Sequence, residues 1–222
     1  MHRCGQTKPD GAPGWQSFFL KAGHNVYVSD AVERGRASWA RYPEIYKSEP
    51  MFRSKRETWE LFRIGATGSY HRDPAKRVAN PGQQFPATAF DQFTMQCVSR
   101  WLDNDVATEV AYDALIAKVG PCVILCHSQC GNFGLRSALR NSHLVRAVVA
   151  VEPSGAPATG DPGLARLKSM PQLFLITPTS PLATPAERAD QQSERGEPGP
   201  PPLLLKTPGL RGRAASPGDA IH

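Results

Sequence analysis

The chain has 222 residues, 40% of them apolar, enough for the core of one mid-sized domain. Its formal charge of +6 is spread through helix-like stretches and the tail with no basic run interleaved with aromatics, which reads as solvated surface and excludes a nucleic-acid partner. No basic start leads into an apolar segment and no apolar run approaches about 18 residues, so neither a leader nor a membrane partner is expected; the chain as written reads as cytoplasmic, and a longer form could be secreted or periplasmic.

The first element is a short helix over 15–22, with Trp15, Phe18, Phe19 and Ala22 on one face and Gly23 closing it. A strand is expected at Val26–Ser29, with a turn over Asp30–Ser38. Residues 40–105 read as an irregular insert rich in aromatic and charged residues. It holds a helix near 55–63 and a second near 87–102, where Phe90, Phe93, Cys97, Val98 and Trp101 form an apolar stripe that packs as core. A helix over 106–118 ends at Gly120.

Residues 121–131 read P-C-V-I-L-C-H-S-Q-C-G. An apolar, β-branched run feeds directly into His127-Ser128-Gln129, and a helix-like segment follows from Gly131. Strand, tight turn with a serine at its apex, then helix is the arrangement that lifts a hydroxyl out of a sheet and sets it near backbone N–H groups. A serine needs that help because its hydroxyl is a weak nucleophile. Cys126 and Cys130 stand at the flanks where glycine is commoner. Cys130 as nucleophile fits less well, because it comes four residues after the strand rather than two and falls in the helix.

A second strand, Val145–Val151, ends in Glu152-Pro153. A carboxylate there sits at the C-terminal edge of a parallel strand, where open α/β sheets place ligand sites. Ser128 is therefore expected at the C-terminal end of a central strand, with Glu152 on the same side of the sheet. A helix over Leu164–Met170 and a strand at Gln172–Ile176 complete an alternation that reads as a mostly parallel, doubly wound α/β sheet. Residues 177–222 carry no aromatic residue, are rich in proline and glycine, and read as a disordered tail that cannot build a sheet strand. The abrupt change after Ile176 also fits a reading-frame change.

These residues resemble the α/β-hydrolase superfamily, and more narrowly bacterial esterases with an H-S-Q-S-G elbow and a glutamate acid. The matching pieces are C-H-S-Q-C-G at 126–131, V-A-V-E-P at 149–153, and P-D-G-A-P-G-W-Q-S-F-F at 9–19 with Y-V-S-D-A-V-E-R-G-R-A-S at 27–38. The resemblance covers roughly residues 9–176. It divides the chain into a truncated N-terminal part of the core (1–39), a helical cap-like insert over the sheet edge (40–105), the core with the elbow (106–176) and the tail (177–222). It implies Ser128 as nucleophile, Glu152 as the acid that orients a histidine, and the Gln129 N–H as an oxyanion donor. The implied reaction is hydrolysis of small-molecule carboxylic esters, with no cofactor and no metal.

Two parts of the family pattern are not matched. An oxyanion loop after an early strand is represented only by His2 and Gly5, and the expected histidine after the last strand only by His222, the final residue. His127 adjoins the nucleophile and points away from it in such turns, His24 and His143 belong to the opposite sheet edge, and His71 lies in the insert. The rival reading is therefore a non-catalytic binding protein, or a degenerate fragment, on a hydrolase scaffold. An apolar strand and a histidine loop in another frame past codon 176 would mark this copy as the damaged product of an enzyme. Five cysteines without a repeating spacing argue against a disulfide framework, and Cys122, Cys126 and Cys130 span strand and helix in a way that does not converge on a metal. Nothing in the sequence sets the oligomeric state.

Overall fold

The computed structural model describes residues 6–35, 43–44, 46–155, 157, 161, 163–176 and the strand Leu204–Lys206. By their contacts the residues group into two units, Met1–Thr108 and Glu109–His222.

In the first unit, α1 (Trp15–Lys21) forms as the sequence predicts but has no buried residue. The strand expected at Val26–Ser29 is absent: these residues carry no ladder. A strand exists only against a hydrogen-bonded neighbour, and no described segment pairs with this one. Helix α2 (Lys55–Leu61) opens with a capping box, in which Ser54 Oγ accepts the Glu57 N–H and the Glu57 carboxylate accepts the Ser54 N–H.

The helix expected over 87–102 is broken. It is a 3₁₀ turn at Ala87–Ala89 followed by α3 (Phe90–Thr94). Phe90 and Phe93 are buried with Trp59 and Ile64, whereas Cys97 and Val98 are exposed. The chain leaves the helix because Arg100 pairs with Met51 in an isolated bridge, and Trp101 is buried elsewhere, stacked on Tyr46 with its indole N–H donating to the Ser48 carbonyl. Tertiary contacts thus override a helical stripe of apolar residues. Arg77, its side chain almost fully buried over the rings of Tyr70 and Phe90, pairs with Asp91, which also meets Lys55.

The second unit carries the sheet, in the order β1 (Cys122–His127), β2 (Val145–Val151), β3 (Gln172–Ile176) and β4 (Leu204–Lys206). Strands β1 to β3 run parallel, and β4 is antiparallel to β3. The fold class is α/β with a mostly parallel sheet. Strand β4 falls in the segment read as a tail unable to form a strand; the backbone ladder on β3 supplies a partner that local composition does not reveal. The rest of 177–222 lies outside the described residues.

Helix α4 (Asp105–Val119) precedes β1, and α5 (Gln129–Arg140) makes the crossover from β1 to β2 that a parallel pair requires. The helix expected over 164–170 is the shorter α6 (Leu164–Leu167). Helix α5 buries Leu135, Ala138 and Leu139 against Cys126, Val148 and Ala150, and Phe133 beside Tyr112 of α4. It lies close to the sheet, since a Cβ on Gly134 would stand 2.9 Å from Cys126 Sγ. Arg140 bridges Glu109 and Asp113, tying α4 to α5.

β1 is not central. Among the described strands it forms one edge, and Val123 and Leu125, on the face away from α5, are 59% and 38% exposed.

Candidate active site

The two apolar runs end at the same edge of the sheet. Because β1 and β2 are parallel and His127 pairs with Val151, the residues that follow, Ser128 and Glu152, leave neighbouring strand ends on the same side. Ser128 is the N-cap of α5, at φ 52° and ψ −125°, and Glu152 has φ 43°. A non-glycine residue at positive φ is costly and persists only where its surroundings enforce it. Here both strand-to-loop turns adopt it.

The backbone shows what enforces it. The Ser128 N–H donates to the Val151 carbonyl at 3.1 Å, and the Ser128 carbonyl accepts from Gly131 at 2.8 Å and from Ser154 at 2.9 Å. The Glu152 N–H donates to the Leu175 carbonyl at 2.8 Å. Gln129 is the first residue of α5, where N–H groups have no acceptor within their own helix and the helix dipole favours negative charge. Such a donor beside a serine hydroxyl suits an oxyanion.

The thiols near the turn are built into the core. Cys126 is buried under α5, and burial, with a smaller contribution from Cys130, pushes its pKa up to about 12. Burial also raises Cys122. A thiol held protonated is a poor nucleophile. Cys130, the second residue of α5, packs half-buried against the same core. Among the described residues no cluster of three His, Cys, Asp or Glu side chains could hold a metal ion.

The described histidines of the second unit are His127 and His143. His143 lies in the turn before β2, at the N-terminal end of the strands. His71, in the first unit, accepts the Asp73 N–H at Nδ1, 2.9 Å away. His2, Gly5 and His222 lie outside the described residues. His127 keeps an edge open to solvent yet is crowded enough that burial lowers its pKa, while the Glu152 carboxylate pulls the other way.

That shift makes stability depend on pH. Between the lowered folded value and the ordinary 6.5, the unfolded chain binds more protons than the folded one. Stability contributed at His127 is thus complete above the ordinary value and is lost as pH falls through that window. Urea midpoints measured from about pH 5 to about pH 8 should rise with pH, and His127→Gln should flatten the rise. An unchanged slope in the variant would assign the effect to other groups.

A groove of about 490 Å³ in the second unit is lined by Glu109, Arg136, Arg140, Asp161 and Arg166 among others, and includes neither Ser128 nor Glu152. Glu109, Arg136 and Arg140 are already joined in ion pairs, which suits a solvated surface better than an ester pocket.

The chain is 35% identical over 160 residues to "Probable secreted lipase phiG" of Fungal sp. (strain ATCC 74256), a match that takes in 68% of this chain and 41% of the lipase. A solved structure described as a novel bacterial esterase superposes with a TM-score of 0.67 at 26% identity, over 79% of this chain and 56% of the esterase. Both relatives are named for ester hydrolysis. The likeness supports a hydrolase family, and the α/β fold is shared with the esterase. The chain spans about two fifths of the lipase and just over half of the esterase. No family model matches the chain. Among the described residues no helix is long and apolar enough to cross a membrane.

Proposed function

We propose that the β1–α5 turn is the nucleophile elbow of an esterase-like serine hydrolase site. Ser128 is the nucleophile toward small-molecule carboxylic esters, Glu152 the acid that orients a base, and the Gln129 N–H an oxyanion donor. The observation that carries this reading is Ser128 at φ 52° between a parallel strand and a helix N-terminus, beside Glu152 at φ 43° on the next strand end. In acyl transfer the Ser128 Oγ attacks the ester carbonyl carbon, its proton passes to a base, and charge on the former carbonyl oxygen is held by N–H donors. The reading implies no metal or cofactor. In a complete triad the base is a histidine held by the acid; no described histidine in the second unit other than His127 lies at this edge.

The test supplies a base from solution. A fluorophosphonate probe with added imidazole should phosphonylate Ser128: an Oγ–P bond forms, the P–F bond breaks, fluoride leaves, and imidazole takes the serine proton. Peptide mass spectrometry locates the label. It should be absent in Ser128→Ala and slower in Glu152→Gln. Label on another residue, or equal labelling of Ser128→Ala, would remove Ser128 from the role and favour a non-catalytic scaffold.

A further inference from the structure

The strained serine raises the question of what holds it. Its peptide is tied on both sides to the end of β2 and the turn after it, through the Val151 carbonyl and the Ser154 N–H. Between those two anchors stands Pro153, whose side chain is fully buried. A Cβ placed on Gly131 would lie 2.3 Å from Pro153 Cβ and 2.7 Å from its Cα, so the first turn of α5 rests directly on this proline.

We infer that Pro153 is a positioning residue. Seated under Gly131, it sets the height of the Ser128 turn against the Glu152 turn and so fixes the spacing of the two groups. The inference rests on the reading of Ser128 as nucleophile. Proline suits the task physically. Its ring fixes φ, so the link from Glu152 at positive φ to the Ser154 N–H is stiff. It offers no N–H that could compete for the carbonyls nearby. The Ser128 carbonyl takes one hydrogen bond from its own helix and one from beyond Pro153, so a shift of the proline moves the serine. Glycine at 131 is the matching half, because any side chain there would push α5 off the proline.

The experiment uses imidazole-supported fluorophosphonate labelling of the full chain, resolved into the maximal labelling rate and the probe concentration for half that rate. Access of a thiol reagent to buried Cys126 is followed in parallel as a report on packing under α5. Pro153→Ala should slow the maximal rate by roughly tenfold to a hundredfold, the scale of a small misplacement of a reacting group. The half-saturating concentration should stay within about twofold, since binding and transition-state terms separate in this way. Cys126 should remain protected. Gly131→Ala should slow labelling further, and adding Pro153→Gly to it should recover part of the loss. Wild-type labelling in Pro153→Ala would overturn the inference. So would loss of labelling in step with exposure of Cys126, which marks general loosening. Absence of Ser128 label in the wild type would instead show that the nucleophile reading itself has failed.

Discussion

Without an added base, the purified chain should hydrolyse a short activated ester about 10⁴-fold or more slowly than a homologue that carries a full serine–histidine–acid triad. The expectation follows from what stands around Ser128. A hydroxyl gains its nucleophilicity from a base placed to take its proton, and triads stripped of members keep only the catalysis that oxyanion donors and substrate binding provide. At this strand edge the described residues offer Ser128, Glu152 and the helix N-terminal donor at Gln129, with His127 in the residue before the serine. Ser128→Ala should then change the remaining rate only slightly, because members of a triad act as a unit. Added imidazole should raise the wild-type rate and not that of Ser128→Ala. Fast turnover by the wild type, abolished by Ser128→Ala, would refute the expectation and show that a base reaches Ser128 from elsewhere in the chain.

Trp59→Ala should destabilise the first unit by about 3–5 kcal/mol, the cost of emptying a large aromatic site in a core. Trp59 is 1% exposed and meets the edge of Phe90 with ring centroids 4.9 Å apart. Its indole N–H donates to Ser69 Oγ at 3.0 Å. The core around it is small, comprising Ile64, Phe90 and Phe93 with partly buried neighbours such as Tyr70 and Phe85, so there is little material to collapse into the void. Trp59→Phe keeps most of the ring and should cost far less. Hydrogen exchange at the amides of Ile64 and Asn80, bonded to the Trp59 and Ile64 carbonyls, would report the loss locally. Equal protection in wild type and Trp59→Ala would mean that the cluster contributes little to the unit's stability.

Several elements are legible from local sequence because their signals are local. The runs at 122–127, 145–151 and 172–176 are dense in apolar residues, as strands of a parallel sheet are, and the structure places β1, β2 and β3 there. The helix ahead of Gly120 ends where a glycine at φ 80° allows the chain to turn. Ser128 and Glu152 fall at one edge because two parallel strands joined by one helix leave their C-terminal ends side by side, a consequence of chain order alone.

What the sequence could not supply was every feature that needs a distant partner. Val26–Ser29 has strand composition and no ladder, whereas Leu204–Lys206, inside a proline-rich stretch, pairs with β3. The stripe from Phe90 to Trp101 has helical spacing, yet Trp101 goes to Tyr46 and Arg100 to Met51, and the helix stops at Thr94. The positive φ of Ser128 and Glu152, and the seat of Gly131 on Pro153, appear only once α5 is packed across β1 and β2. Apolar period and turn residues are written along the chain. Ladder partners, strained dihedrals and close contacts depend on atoms far apart in sequence, and those are fixed only when the sheet and its helices come together.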